Sequence, residues 1–231
     1  MPSILVTGAN RGLGLEWCRQ YAREGWRVYA TCRHPEAAAD LHDLARQYPW
    51  LTVHRLDVTE AESVHALCAD LREPTLDVLV NNAGVYLEKY APDPAIRYDE
   101  WAATLAVNTL GAVRVSEALL DRLARGERRL VVAVSSHMGS IADISAPGST
   151  YYRTSKAALN SAMKGLALAY GERGVGVLIL HPGWVKTRMG GWDEAPLTPE
   201  QSVTGMRGLV EGFRMDMSGR FFRQDGVELP W

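Results

Sequence analysis

No apolar run in the 231-residue sequence approaches the ~18 consecutive residues that cross a bilayer as a helix, so a membrane span is not expected. The opening residues, Met1-Pro2-Ser3-Ile4, place no basic stretch ahead of an apolar one, and no export signal is expected either. Cysteine is scarce. Cys18, Cys32 and Cys68 are odd in number and lack ligand spacing, which argues against a disulfide framework and a thiolate zinc site and suits a reducing cytoplasm. The six histidines do not group at ligand spacing, so no metal is expected. Nucleophile-elbow and Walker motifs are absent, as are internal repeats and low-complexity tracts. Charge of one sign is missing as well: 25 basic residues against 27 acidic ones give a formal net charge of -2. That balance offers no footprint for nucleic acid or an anionic membrane, and leaves a small molecule as the expected partner.

What remains is an ordinary globular composition, 47% hydrophobic, in a chain long enough for one α/β domain spanning 1–231. Residues 3 to 7 read as a strand ending in Gly8-Ala9-Asn10-Arg11-Gly12-Leu13-Gly14, after which Leu15, Cys18, Tyr21 and Ala22 recur at helical spacing. A glycine turn between strand and helix lets backbone N–H groups and the positive helix end approach a pyrophosphate. It also serves as a plain tight turn, and the G-x-x-x-G-x-G spacing differs from the G-x-G-x-x-G fingerprint.

A second strand, about Arg27 to Cys32, leads to Arg33. In dinucleotide folds an acidic residue here grips the ribose 2′-hydroxyl, whereas arginine suits a 2′-phosphate. Arg11 offers a second guanidinium, favouring NADP over NAD, although both arginines also read as solvated surface residues. A helix from about Glu36 to Gln47 precedes a strand near Leu51 to Leu56 that closes on Asp57-Val58. Asp57 is placed to accept from an adenine amino group, or merely to satisfy nearby backbone donors. Thr59 with Glu62 reads as a capping box. Leu76 to Val80 forms a central strand ending in Asn81-Asn82-Ala83-Gly84, whose amides can tie neighbouring strand ends together.

The segment from Val85 to Tyr98, with Pro92 and Pro94, reads as a loop. A long helix from about Asp99 to Leu123 follows, and within it Asn108 and Gly111 ask for a reason such as a kink that holds water. Leu130 to Val134 is the next buried strand, running into Ser135-Ser136. From Tyr152 a helix runs to about Arg173, with small residues Ala157, Ser161, Gly165 and Ala169 in a stripe that fits internal packing or a subunit interface. A strand at Gly176 to Leu180 leads to His181-Pro182-Gly183-Trp184-Val185-Lys186-Thr187. A helix at about Pro199 to Phe213 and a strand near Arg220 to Gln224 follow. The alternation predicts a doubly wound, Rossmann-type parallel sheet of about seven strands, helices on both faces and a crevice at the strands' carboxyl ends.

Tyr152 and Lys156 stand four apart, on one helix face. A phenol with a pKa of about 10 is a weak acid near neutrality, and an adjacent ammonium favours its anionic form. The pair reads as an acid/base site.

Thr7-Gly8-x-x-x-Gly12-x-Gly14, Asn81-Asn82-Ala83-Gly84, Asn108-x-x-Gly111, Ser136, Tyr152-x-x-x-Lys156 and Pro182-Gly183 occur in this order over nearly the whole chain. The sequence thereby resembles the short-chain dehydrogenases/reductases, and within them the sniffer and C-factor type of carbonyl reductase. The resemblance implies that Tyr152 is the general acid for carbonyl reduction. Lys156 would promote its ionisation and hold the nicotinamide ribose, Ser136 would hold the substrate oxygen, and Asn108 would anchor a water in a proton relay. It further implies that Asn82, Ala83 and Gly84 lie along the cofactor and that Val185 and Thr187 reach the carboxamide, beside Pro182 and Gly183. Ser136 lies sixteen residues before Tyr152, more than is usual, lengthening the intervening loop through Pro147-Gly148. Ser135 and Ser140 are alternatives to it.

The leading expectation is an NADP(H)-dependent reductase of aldehydes or ketones, NAD(H) being possible, acting in the cytoplasm as a homodimer or homotetramer. The rival is a dinucleotide-binding regulator. A sugar epimerase of the extended branch is disfavoured by the little chain past Thr187. Met138, Trp184, Met189 and Trp192 are candidates for an apolar substrate wall.

Overall fold

The computed structural model describes residues 1–90, 95–191 and 194–231; Pro92, Pro94 and Trp192 lie outside them. Seven strands form one parallel sheet: β1 (Ser3–Val6), β2 (Arg27–Cys32), β3 (Leu51–Arg55), β4 (Val78–Asn81), β5 (Leu130–Val134), β6 (Gly176–His181) and β7 (Phe221–Arg223). Their order is β3-β2-β1-β4-β5-β6-β7. The chain winds outward from β1 to β3, then returns to pair β4 against the other side of β1, Leu5 opposite Leu79. That reversal opens a crevice at the carboxyl ends of β1 and β4.

Strands buried on both faces explain the continuous apolar runs, and the period of two splits each strand between two cores. Ile4, Val6, Val78, Val80 and Val132 pack with Trp17, Tyr21, Leu41 and Met206 on the side of α1 (Gly12–Arg23), α2 (Ala39–Gln47) and α7 (Pro199–Glu211). Leu5, Leu79, Val131 and Ala133 pack with Val64, Leu119, Leu159 and Met163 on the other. There α3 (Ala61–Asp70), α5 (Ala112–Ala124) and α6 (Thr150–Gly171) cover the sheet.

The helix expected from Glu36 begins as a 3-10 turn, Pro35–Ala37, before α2. The long helix expected from Asp99 to Leu123 is three pieces: α4 (Tyr98–Leu105), a π segment (Ala106–Gly111) and α5. Gly111 is small because α5 crowds the turn after β3, where a Cβ would sit 2.6 Å from Val58 Cγ2. The capping box is not at Thr59. Its hydroxyl donates to Asp57 Oδ1 at 2.7 Å, and α3 starts after Glu60 with no side-chain cap. A reciprocal box does open α7: Gln201 N donates to Thr198 Oγ at 3.1 Å and Thr198 N to Gln201 Oε1 at 2.9 Å. The stripe on α6 is not internal packing, since Ser161, Gly165 and Ala169 are exposed beside an exposed Leu168.

Candidate active site

Every residue assigned to the site from sequence lies at or just beyond the carboxyl end of a strand, or on a helix that faces those ends. Gly8 turns the chain off β1 with φ +65°, and a Cβ there would meet Ala83 Cα at 2.9 Å. The contact brings the glycine turn, Gly8 to Gly14 with Asn10, Arg11, Gly12 and Leu13, against the end of β4. Thr7 Oγ accepts from Asn82 N at 3.0 Å and Ala83 N at 2.9 Å, while Asn82 Nδ2 donates to the Thr7 carbonyl at 2.9 Å. The expected amide tie between strand ends is therefore present, with Thr7 as its unforeseen partner.

Arg33 follows β2 and Asp57 follows β3. Burial would raise the Asp57 carboxyl, but bonds from the Thr59 hydroxyl and N–H, helped by Arg33 and Arg55, hold it below the usual carboxylate range. Its Oδ1 thus serves local donors, the plainer of the two expectations. Val58 offers its carbonyl to Arg114 Nη1 at 2.7 Å. The Gly14–Asn82 face and the guanidiniums of Arg11 and Arg33 suit a dinucleotide phosphate: neither guanidinium makes an ion pair or hydrogen bond among the described residues. After β6, Pro182 accepts from Ser202 Oγ at 2.6 Å, Gly183 turns with φ +79°, and Val185 is buried. Thr187 curls back, its N donating to the Val185 carbonyl at 2.8 Å.

The reactive end gathers around the start of α6. Tyr152 is 7% exposed and Lys156 4%. The Lys156 Nζ lies 5.8 Å from the centre of the Tyr152 ring, one turn below it, and donates to the Val134 carbonyl at 2.8 Å. Burial pushes the phenol up to about 12; the Ser136 hydroxyl opposes the rise, and Tyr86 and Glu88 add to it. Burial also pulls the Lys156 ammonium down to about 8. The expected lowering of the phenol is therefore reversed, because desolvation of a nearly closed-off hydroxyl outweighs the help of neighbouring donors.

Of the three candidate serines, Ser136 faces the phenol. Ser135 donates inward to Asn160 Oδ1 at 2.5 Å, and Ser140 Oγ accepts from Asp143 N at 3.3 Å. Asn108 sits in the π segment, where the widened turn aims its amide across the helix. It accepts from Val85 N at 2.8 Å and donates to the Val85 carbonyl and to Ser155 Oγ, each at 2.9 Å. Asn108 and Lys156 flank Gly84, where a Cβ would be 3.4 Å from Asn108 Oδ1 and 3.8 Å from Lys156 Nζ.

Two neighbours of Tyr152, Tyr86 and Glu88, had no signal beyond lying near the motifs. Tyr86 stacks on its ring, Glu88 Oε1 accepts from its backbone N at 2.8 Å, and Met189 Sδ stands 3.9 Å from its hydroxyl. Met189 was a candidate wall; Trp184, 52% exposed, hydrogen-bonds the Gly190 carbonyl instead of facing the phenol.

Residues 2–195 match the family described as short chain dehydrogenase, and the chain belongs to that family of oxidoreductases. Its fold is that of solved relatives. Carbonyl reductase Sniffer of D. melanogaster superposes with a TM-score of 0.92 at 33% identity, covering 100% of both chains. An NADPH-bound carbonyl reductase from chicken fatty liver gives 0.92 at 32%, covering 100% of this chain and 99% of the other. The C-signal protein of Myxococcus xanthus is 42% identical over 156 residues, 68% of this chain and 93% of that protein. No helix among the described residues is long and apolar enough to cross a membrane.

Proposed function

We propose that the protein is an NADP(H)-dependent reductase of aldehydes or ketones. One observation carries the reading: Tyr152, buried and faced by Ser136, stands over Lys156 at the strand ends; the glycine turn, Arg11 and Arg33 are read as the phosphate cradle. When bound, the dinucleotide supplies a hydride to the carbonyl carbon. The chain supplies the rest. Ser136 holds the carbonyl oxygen, Tyr152 gives it a proton, and the two stabilise the developing oxyanion. A phenol with a pKa of about 12 is protonated at neutral pH, which suits an acid and therefore the reducing direction. Lys156, buried and titrating near 8, is placed to hold ribose hydroxyls and to return the proton, with Asn108 anchoring the relay toward solvent.

A second reading, a dinucleotide-binding regulator with little turnover, is favoured by the likeness to the C-signal protein. The complete Asn108, Ser136, Tyr152 and Lys156 set weighs against it, since binding alone does not need an acid. The proposal includes a cytoplasmic homodimer or homotetramer, supported by the exposed small-residue face of α6 and Leu168, and checked by sizing in solution. The deciding experiment follows NADPH and NADH absorbance against a panel of carbonyl compounds for wild type and Tyr152→Phe. Turnover in wild type and its loss in the variant support the reductase; undiminished turnover without the hydroxyl removes Tyr152 from its role. Dinucleotide binding with no turnover on any carbonyl favours the regulator.

A further inference from the structure

β3 is the outer strand of the sheet, paired with β2 alone. Alternate side chains of a strand share a face, so Thr52 and His54 lie side by side with Leu56, on the face that α3 covers. Asp70 is the last residue of α3. The three side chains form a line of two hydrogen bonds: Thr52 Oγ lies 2.7 Å from His54 Nε2, and His54 Nδ1 lies 2.5 Å from Asp70 Oδ2. A carboxylate only accepts, so in the neutral imidazole it fixes the proton on Nδ1 and leaves Nε2 to accept from the Thr52 hydroxyl.

The imidazole is held in place while the hydroxyl is open. The His54 side chain is 11% exposed, and Tyr29 of β2 lies against it with ring centres 5.8 Å apart; Thr52 itself is exposed. Val28 N donates to the Trp50 carbonyl and Leu56 N to the Cys32 carbonyl, so the even-numbered residues of β3 bond to β2. The N–H of Val53, directly after Thr52, therefore faces away from the sheet. Thr52 also lies five residues short of Asp57, ~16 Å along an extended strand, which sets the group apart from the crevice at the carboxyl ends.

We propose that Thr52, His54 and Asp70 form a second reactive site, which takes an acyl group from a small activated ester and passes it to water. An exposed hydroxyl bonded to an imidazole that a carboxylate orients is the arrangement of an activated nucleophile. Thr52 Oγ bonds to the acyl carbon as its proton passes to His54 Nε2, and the Val53 N–H is the donor offered to the oxygen that gains charge. The bond to the leaving alkoxide breaks, and the alkoxide takes the proton from His54. Water then repeats the exchange: it gives a proton to His54, its oxygen bonds to the acyl carbon, and the acid leaves as Thr52 regains its hydrogen. No oxidant, reductant or dinucleotide enters, so the site is independent of the reductase reading. Asp70 touches no reacting atom and is a positioning residue.

The test uses p-nitrophenyl acetate with the full chain, reading nitrophenolate release, the protein mass for an added acetyl group, and peptide mapping to place that group. The wild type is expected to carry the acetyl on Thr52 and to hydrolyse the ester. Thr52→Val keeps the side-chain shape and suits a strand; it should lose the acetyl and slow hydrolysis by roughly tenfold or more, and Thr52→Ser should restore both. His54→Gln should match Thr52→Val. Asp70→Asn should slow acylation and Asp70→Glu should recover part of it, with melting unchanged in both. An acetyl on a lysine or on Ser136 in place of Thr52 overturns the proposal, as do equal rates for wild type and Thr52→Val. An acetyl that stays on Thr52 supports the nucleophile and overturns the transfer to water. Melting of the Thr52 and His54 variants checks folding.

Discussion

Tyr86 lies face to face with Tyr152, ring centres 4.3 Å apart and planes 13° from parallel. The segment after β4 makes further contacts with the start of α6. The Tyr86 hydroxyl bonds Ser149 Oγ, and Ser149, just ahead of the helix, holds a left-handed φ of 56°. Glu88 Oε1 takes the Tyr152 backbone N–H. The first turn of a helix carries partial positive charge that would favour a phenolate, and a carboxylate placed there opposes it. Burial first keeps the acid protonated, and Tyr86 and Glu88, from a segment remote in sequence, add to it.

Glu88→Gln separates that charge from the hydrogen bond, because the amide oxygen still accepts from Tyr152 N. Reduction needs a protonated phenol, so activity falls as pH rises through its pKa. Removing the negative charge should lower that pKa and move the alkaline limb of the kcat profile to lower pH, with melting little changed. A profile identical to wild type would reduce Glu88 to a helix cap.

Lys156→Met keeps the length of a buried side chain and discards its charge. The folded ammonium titrates near 8 and the unfolded one near 10.5, so between those values the unfolded chain holds more protons and stability rises with pH. The variant should lose this rise, be at least as stable at neutral pH, and turn over ~10²–10⁴-fold more slowly. Urea melts at pH 7 and 9.5 beside initial rates read both effects. A large loss of stability at pH 7 would show the ammonium bond to Val134 to be structural.

His181 is half-buried at the end of β6, and desolvation first, then His137 and Arg223, pull its imidazole down to about 4. Between about 4 and its ordinary 6.5 the unfolded chain takes the proton and the folded one does not. Stability should therefore decline as pH falls from 6.5 toward 4, with up to about 3 kcal/mol from this group. His181→Asn should flatten that slope in denaturant midpoints measured from pH 4.5 to 7. An equal slope in both proteins would assign the acid sensitivity elsewhere.

Much of this was legible because strand ends punctuate the sequence. The apolar runs of β1, β4 and β6 stop at a glycine, an amide or a proline, those of β2, β3 and β5 at Arg33, Asp57 and Ser135, and those stops became the crevice from Gly8 to Thr187. Tyr86 and Glu88 stayed hidden because they lie in a segment without periodicity and act across long sequence separations, 64 residues between Glu88 and Tyr152. The misplaced capping box has a similar cause: Thr59 had the right pattern, but Asp57 took its hydroxyl. The anomaly of Asn108 and Gly111 was visible, yet the shape it signalled was not. Pattern alone does not separate a kinked α-helix from a π turn.

That turn has a consequence for how the chain tolerates shortening. A π segment is an α-helix carrying one surplus residue, and α4 and α5 run on either side of it. Excising a single residue between 106 and 111 would give an unbroken cylinder, smoother and locally better bonded. It would also rotate one half against the other by about 100° and swing the 108 amide away from Val85 and Ser155. Here a more regular backbone is the less competent one.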